Sequence, residues 1–266
     1  MQRLRKIIDR VHHHNTKKDW DSVWIIAGDE GCGKSNLLLH IIDYWYTNFH
    51  GGVTPEKIKH ISLSLSDFAK DFKDVKKYGI ISFDEAGQIS NRRTMSKLNE
   101  LIKQTYQIVR GHNLFTILLL PSVFDIEPSF PRRRARALIQ VYERGKFSFY
   151  GREKLRKVIE INQDKKIRRV DAVTPLFRDN FPVYNGALKE EYMKRKEEFI
   201  SEAKAKLDEF INSEPDAESE KKLLLKSELD RITKMEEVGL TQEQIGHVIG
   251  KSARTVRRLK GMADGG

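Results

Sequence analysis

A glycine-rich octapeptide, Gly28–Ser35 (GDEGCGKS), lies directly between an apolar run and a segment of helical character. The preceding run, Ser22–Ala27, is rich in β-formers and predicts a buried strand, whereas Asn36–Tyr46 is apolar almost all round and predicts a helix packed on a sheet. A loop of this kind turns backbone N–H groups inward at the positive end of a helix, where they bind phosphate. The octapeptide therefore predicts a strand, a phosphate-binding loop and a helix in succession.

Further along the chain, short apolar runs alternate with amphipathic segments. We predict strands and helices in turn over these runs: strand Ile58–Leu63, helix Phe68–Lys77 capped by Ser66 with Asp67, strand Gly79–Phe83, helix Arg93–Val109 and strand Phe115–Leu120. Two more runs, Ala137–Tyr142 and Lys146–Tyr150, flank a turn signal at Glu143-Arg144-Gly145 and predict a hairpin. The alternation predicts the α/β class, with a mainly parallel sheet flanked by helices.

The chain carries more positive than negative charge. Its 266 residues include 49 Lys and Arg against 38 Asp and Glu, a formal net charge of +11, which favours a polyanionic partner, DNA before an anionic membrane. Cys32 is the single cysteine, so an intramolecular disulfide is excluded and a reducing compartment is indicated. Met1–Arg10 lacks a signal-peptide pattern, and Leu114–Pro121 is far shorter than the roughly 20 residues of a membrane helix. We expect a cytoplasmic protein without membrane insertion, in the host cytoplasm if it is viral.

The residue types in the octapeptide suit the phosphates of a nucleotide and its metal ion. Lys34 is long enough to reach the β- and γ-phosphates, and the Ser35 hydroxyl suits a Mg²⁺ ligand. A glycine-rich turn that matches by chance is the alternative, and the flanking strand and helix argue against it. We predict that nine consecutive residues contact the nucleotide: Gly28, Asp29, Glu30, Gly31, Cys32, Gly33, Lys34, Ser35 and Asn36.

An acidic pair, Asp84-Glu85, follows the apolar run at Gly79–Phe83. An acidic residue at the end of such a strand holds Mg²⁺, a role that we assign to Asp84, and its neighbour Glu85 can orient and deprotonate the attacking water. A solvated strand end is the alternative for an isolated acidic pair. Together with the phosphate-binding loop upstream, the pair predicts a site that hydrolyses a nucleotide with Mg²⁺.

These motifs resemble those of the additional-strand, catalytic-glutamate P-loop ATPases, over roughly residues 23–150. The resemblance implies that Phe115–Leu120 lies in the sheet between the nucleotide strand and the Asp-Glu strand. It also implies that Ser122, at the tip of that strand, is the polar sensor residue. The chain has no Asn-Lys-x-Asp guanine signature after these motifs, so ATP is the expected nucleotide.

The run Tyr106–Asn113 (YQIVRGHN) is similar to the corresponding region of the FtsK–HerA group and its zonula-occludens-toxin-like relatives, which place an arginine before the sensor strand. Arg110 has that position here. The resemblance implies motor or DNA-processing work by a homo-oligomer, often a ring. Arg132, in a basic cluster after Pro131, is another candidate for a finger that reaches a neighbouring subunit's γ-phosphate, and a basic loop that touches DNA or solvent is the alternative.

The segment Leu240–Lys260 resembles a helix-turn-helix unit. Thr241 and Gln244 predict a capping box for its first helix, and Ser252 predicts a cap for the second. We predict a small core of seven side chains: Leu225, Leu229, Ile232, Ile245, Val248, Val256 and Leu259. We predict DNA contacts by five residues of the second helix and its cap: Ser252, Arg254, Thr255, Arg257 and Arg258. A charged hairpin or a protein-binding module is the alternative.

We therefore expect three parts: a P-loop ATPase domain at 1–185, a charged helix and linker at 186–220, and a helix-turn-helix DNA-binding domain at 221–266. The favoured function is an ATP-hydrolysing DNA motor, of the translocating or packaging type, from a virus or mobile element. One alternative is an initiator or transposition-regulator ATPase that uses ATP as an assembly switch on DNA. Another is a transcription regulator that only senses nucleotide, against which the intact Asp84-Glu85 pair argues.

Overall fold

The computed structural model describes residues 1–54, 60–84, 100, 110–213, 230, 232–235, 237 and 239–261. It divides the chain into two compact units, residues 1–200 and 201–266. The α-helices and strands, in chain order, are α1 (Gln2–Lys17), β1 (Ser22–Ala27), α2 (Lys34–Phe49), β2 (Ile61–Ser62), α3 (Leu65–Asp74), β3 (Ile80–Asp84), β4 (Phe115–Leu120), α4 (Ser129–Arg133), β5 (Ala135–Glu143), β6 (Lys146–Gly151), α5 (Arg152–Lys165), β7 (Phe177–Asn180), α6 (Lys189–Ser213), α7 (Gln242–Ile249) and α8 (Ala253–Gly261). The helix predicted at Arg93–Val109 lies outside the described residues, apart from residue 100.

The strands of the first unit form one sheet, in the order β2-β3-β4-β1-β5-β6-β7 among the described residues. The five strands from β2 to β5 in this order run parallel, and β6 and β7 continue the sheet antiparallel. Strand β4 lies between β1 and β3, with Phe115 beside both Ser22 and Ile80. The predicted α/β class, with a mainly parallel sheet flanked by helices, is confirmed.

Both faces of the sheet are buried, as a parallel sheet requires. Along β1, Trp24 and Ile26 contribute to an apolar cluster that includes side chains of α1 and α2. The alternate residues, Val23 and Ile25, contribute to a second cluster with side chains of α3 and α5. The alternation places helices on opposite faces and holds the carboxyl end of β1, where the octapeptide begins, between them.

Helix α3 begins earlier than the sequence pattern predicts. Its cap is Ser64, whose Oγ accepts a hydrogen bond from the N–H of Asp67 at 3.1 Å. The prediction of a cap at Ser66 with Asp67 is wrong, because Ser66 is already helical while Ser64 is extended. The second strand is also shorter than predicted, since β2 covers only Ile61–Ser62.

The second unit contains two short helices whose caps are as predicted. The N–H of Thr241 donates to Oε1 of Gln244 at 2.9 Å, and the N–H of Gln244 donates to Oγ1 of Thr241 at 3.4 Å. Ser252 accepts from the N–H of Thr255 at 3.2 Å. These local bonds fix where α7 and α8 begin.

The core of the second unit differs in part from the predicted set. Ile232, Ile245 and Val256 are fully buried, but Val248 is 57% exposed, so its assignment to this core is wrong. Ile249, one residue further along α7, packs against the core instead. Leu225 and Leu229, with the side chain of Leu259, lie outside the described residues. Among the described residues, no helix is long and apolar enough to cross a membrane.

Candidate functional site

The octapeptide forms a loop between β1 and α2, and its glycines are required by its geometry. Gly33 precedes α2 in a left-handed conformation, with φ of +99°, which a side chain disfavours. A Cβ on Gly28 would lie 2.3 Å from the carbonyl oxygen of Val141 in β5. The N–H of Gly28 donates to the carbonyl of Pro121 at 3.2 Å. The loop is therefore bounded by the carboxyl ends of β4 and β5.

The ammonium of Lys34 lies against this loop. Its Nζ donates to the carbonyl oxygens of Gly28 at 2.6 Å and of Asp29 at 2.9 Å. Burial raises the pKa of the half-buried Cys32 thiol, and the positive charge of Lys34 opposes that shift only in part. Since a reactive cysteine needs a lowered pKa, we assign Cys32 no catalytic role, and Lys34 is the charged group available to a phosphate.

The two residues predicted to hold Mg²⁺ contact a common side chain. Asp84, at the end of β3, is 3% exposed, and its carboxylate accepts a hydrogen bond from the hydroxyl of Tyr192 in α6. The hydroxyl of Ser35, in the first turn of α2, is close enough to the same phenol to lower its pKa. The two predicted ligands are thus both neighbours of the Tyr192 hydroxyl. A hydroxyl and a carboxylate beside a phosphate-binding loop are the oxygen ligands that suit a nucleotide-bound Mg²⁺.

The environment of Tyr192 keeps its phenol protonated. Burial raises the pKa of Tyr192 well above its usual value, and the negative charge and hydrogen bond of Asp84 raise it further. The Ser35 hydroxyl acts in the opposite direction and is outweighed. The phenol therefore donates to Asp84 across the physiological pH range.

The segment between β7 and α6, residues 181–188, runs along α2. We call it the strap. Asn36 of α2 donates to the carbonyl of Pro182 at 3.0 Å and accepts from the N–H of Tyr184 at 2.6 Å. The hydroxyl of Tyr184 donates to Asp43, also in α2, at 2.9 Å. The predicted nucleotide residue Asn36 thus anchors the strap in this structure.

Sequence reasoning missed both the strap and Tyr192. The segment Leu188–Phe210 has the composition of a charged, solvated helix, and most of the side chains described up to residue 205 are exposed as that composition predicts. Tyr192 is 108 residues from Asp84 in the chain. No motif or spacing within this sequence connects residues so far apart.

Of the remaining predicted catalytic residues, those that the structure describes lie at opposite ends of the parallel strands. Ser122 follows β4 at the same edge of the sheet as Gly28, and its Oγ accepts from the N–H of Phe124 at 3.2 Å. Glu85 lies outside the described residues, directly after Asp84. Arg110 and Arg132 precede β4 and β5, at the amino ends of these parallel strands, and the Arg110 side chain is not among the described parts.

Since a six-residue strand is roughly 20 Å long, the fold does not bring these arginines to the loop of their own chain. Either of them can serve as a finger only for the nucleotide of another subunit. That role stays a prediction.

The predicted DNA-contacting residues of the second unit have exposed or partly exposed side chains where these are described. Arg254 and Arg257 are exposed, and Nε of Arg257 donates to Gln242 of α7 at 2.7 Å. The hydroxyls of Ser252 and Thr255 hydrogen-bond to each other at 2.9 Å. The side chain of Arg258 lies outside the described residues. The DNA contacts themselves stay a prediction.

A strand, a glycine-rich loop and a helix, with an acidic strand end beside them in an α/β sheet, constitute a candidate nucleotide-binding site. No protein-family model and no curated protein sequence matches the chain. Among solved structures, the chain is similar to the genome packaging NTPase B204 from Sulfolobus turreted icosahedral virus 2. In complex with AMP that structure has 15% identity and a TM-score of 0.33, over 52% of this chain and 95% of that chain. Its complex with ATP-gammaS has 15% identity and a TM-score of 0.30, over 52% and 94%.

Proposed function

We propose that this protein hydrolyses ATP with Mg²⁺ at the loop Gly28–Ser35. The observation that supports it most strongly is that Ser35 of the phosphate-binding loop and Asp84 at the end of β3 are both neighbours of the Tyr192 hydroxyl. Bound Mg²⁺ supplies charge neutralisation at the phosphate oxygens. The Gly-rich backbone binds the phosphates, and Lys34 orients them and offsets their charge. Glu85 takes the proton from the attacking water.

Replacing Lys34 with alanine is expected to lower ATP affinity by about 10- to 100-fold, because one charge-assisted hydrogen bond to phosphate is lost. Equilibrium titration with a fluorescent ATP analogue measures the affinity, and phosphate release measures hydrolysis. Lys73→Ala, an exposed position in the last turn of α3, is the matched control and leaves both unchanged. If the wild-type protein shows no Mg²⁺-dependent ATP hydrolysis, either in the presence or in the absence of DNA, the proposed function is wrong.

We further propose that DNA is the partner of the ATPase, and that the first unit offers a surface for it. We call this the Trp20 surface; it consists of Lys18, Trp20, Arg136, Arg152 and Arg156. Trp20 is 45% exposed, and the guanidinium of Arg136 lies 4.9 Å from its ring centre. The ammonium of Lys18 lies 5.8 Å from the same ring. An exposed indole between cations can stack on a base while its neighbours contact phosphates.

The charges of the Trp20 surface are not neutralised by carboxylates. In the described part of the chain, none of its cations forms an ion pair, and Nε of Arg152 is buried without a hydrogen-bond partner. The pKa of Arg152 is lowered by burial and then by the positive charges of Arg136 and Arg156. The pKa of nearby His14 is also lowered, first by burial and then by cations that include Lys18 and Arg136. Such a concentration of positive charge attracts a polyanion.

Replacing Arg136 with alanine is expected to weaken binding of a fluorescent single-stranded oligonucleotide and to reduce the salt dependence of binding. The slope of log K against log salt decreases in magnitude by about 0.7 when one contact to single-stranded phosphate is lost. Fluorescence anisotropy at several salt concentrations measures both quantities. Arg144→Ala, in the exposed β5–β6 turn, is the matched control. An Arg136→Ala slope equal to that of wild type would contradict a DNA contact there.

We propose a DNA-directed motor that acts as a homo-oligomer. Its support is the net charge of +11 and the cations of the Trp20 surface, and a finger role for Arg110 or Arg132 would require a neighbouring copy. The second unit, with Arg254 and Arg257 exposed, offers another DNA contact. Measured oligomer mass with and without ATP, together with DNA-stimulated turnover, tests this proposal. Assembly on DNA with a single slow turnover would instead favour the initiator or switch function.

A further inference from the structure

The phenol of Tyr192 lies between the two residues proposed to hold Mg²⁺. We propose that Tyr192 is an autoinhibitory residue, and that Mg²⁺–nucleotide binding requires the start of α6 to withdraw from the site. This inference rests on the proposed nucleotide site. It adds that a residue outside the sequence motifs regulates access of Mg²⁺–nucleotide to that site. It has three supports: the position of the hydroxyl, the weak attachment of α6 and the separate anchoring of the strap.

The hydroxyl of Tyr192 uses the same atoms that the metal needs. It donates to Oδ2 of Asp84, and the Ser35 hydroxyl is its neighbour on the side of α2. Mg²⁺ binds oxygen ligands at about 2.0–2.1 Å in near-octahedral geometry, and it brings several waters with it. Tyr192 is 4% exposed and Asp84 3% exposed, so the phenol hydroxyl, and not solvent, is next to the carboxylate that the ion would bind. The phenol and the ion therefore exclude each other.

The start of helix α6 is held by a small set of side chains. From residue 189 to residue 205, Tyr192 is the only buried residue, and Phe199 packs, partly buried, against the same apolar cluster. The ammonium of Lys196 lies 5.7 Å from the Tyr192 ring centre. Elements with few buried contacts open at lower free-energy cost than core strands, so the first turns of α6 are the part of this region that opens most readily.

The strap has its own anchors, and these do not involve the metal ligands. Asn36 holds Pro182 and Tyr184, and Asp43 accepts from the Tyr184 hydroxyl. Withdrawal of Tyr192 therefore leaves the strap in place and is confined to the residues that follow it.

The test is the affinity of a fluorescent ATP analogue with Mg²⁺ and with EDTA, for wild type and for Tyr192→Phe. The variant keeps the ring but removes the hydroxyl, and with it the hydrogen bond to Asp84 that Mg²⁺ has to break. We expect Mg²⁺–nucleotide affinity to rise about tenfold, and affinity in EDTA to change less than twofold. Tyr184→Phe is the matched control, because it also loses a hydroxyl–carboxylate bond but touches no metal ligand. We expect Tyr184→Phe to leave the difference between the nucleotide affinities with Mg²⁺ and with EDTA the same as in wild type.

Hydrogen exchange provides a second readout that does not depend on a variant. Amides in the first two turns of α6 are expected to exchange faster when wild-type protein binds Mg²⁺–nucleotide, and not when it binds nucleotide in EDTA. If exchange is unchanged and Tyr192→Phe does not bind Mg²⁺–nucleotide more tightly, Tyr192 is a structural support and the inference is wrong. If wild type and Tyr192→Phe bind no nucleotide under either condition, the proposed function fails, and this inference fails with it.

Discussion

The variant Glu85→Gln is expected to lower the rate of ATP hydrolysis by about a thousandfold while ATP affinity stays within a few-fold of wild type. Glutamine keeps the size and hydrogen-bonding capacity of the side chain, but it cannot accept the proton of the attacking water. Asp84, the preceding residue, is the last of the five buried residues of β3, and its carboxylate contacts Tyr192 rather than solvent. We therefore expect Asp84 to serve in binding and its neighbour Glu85 to serve in the hydrolysis step.

Single-turnover phosphate release and nucleotide titration together measure the two effects of Glu85→Gln. Glu143→Gln, an exposed carboxylate at the end of β5, controls for the loss of a negative charge and leaves the rate unchanged. A Glu85→Gln enzyme that hydrolyses ATP within tenfold of wild type would show that another group is the base. A rate loss that comes entirely from weaker ATP binding would assign Glu85 to binding instead.

The variant Gly28→Ala is expected to destabilise the first unit by about 3 kcal/mol, because its methyl group has no space. The added Cβ would lie 2.3 Å from the carbonyl oxygen of Val141 and 2.9 Å from Sγ of Cys32. The thiol can rotate away, but the carbonyl belongs to a strand that pairs with neighbours on both sides. The backbone conformation, with φ of +155°, adds strain for any side chain.

Thermal unfolding followed by circular dichroism measures the effect of Gly28→Ala, and the expected decrease in Tm is about 6–12 °C for a unit of this size. Gly111→Ala is the control, since a Cβ there meets nothing within 4 Å and its φ is not in the left-handed region. Equal Tm values for the two variants would mean that β5 moves away from the loop at little cost. In that case Gly28 would be needed only for binding of the nucleotide phosphates and not for the stability of the fold.

The features predicted successfully from sequence are those that depend on neighbours in the chain. Strand β4 occurs at Phe115–Leu120 as predicted, because an apolar run of β-formers ends at Pro121. The capping box of Thr241 and Gln244 also forms, since its two residues are only three apart. The α3 cap was missed by two residues because Ser64 and Ser66 are equally good caps, and only the backbone conformation decides between them.

The features that were missed depend on strand order. Trp20 and Arg136 are far apart in the chain and meet because β5 pairs with β1, a neighbour relation that no local pattern specifies. Tyr192 reaches Asp84 for a similar reason, since the strap returns the chain along α2. Arg110 and Arg132 were assigned by resemblance and by local charge. Their distance from the loop follows only from the direction of β4 and β5.

Strand β5 connects the two edges of the sheet. Near its beginning, Arg136 stacks on Trp20, and near its end, the carbonyl of Val141 lies against Gly28. The strand pairs with β1 on one side and with β6 on the other, and each pairing has one irregular position. Because Arg136 and Val141 belong to one strand, the two ligands proposed for this protein would bind at opposite ends of it.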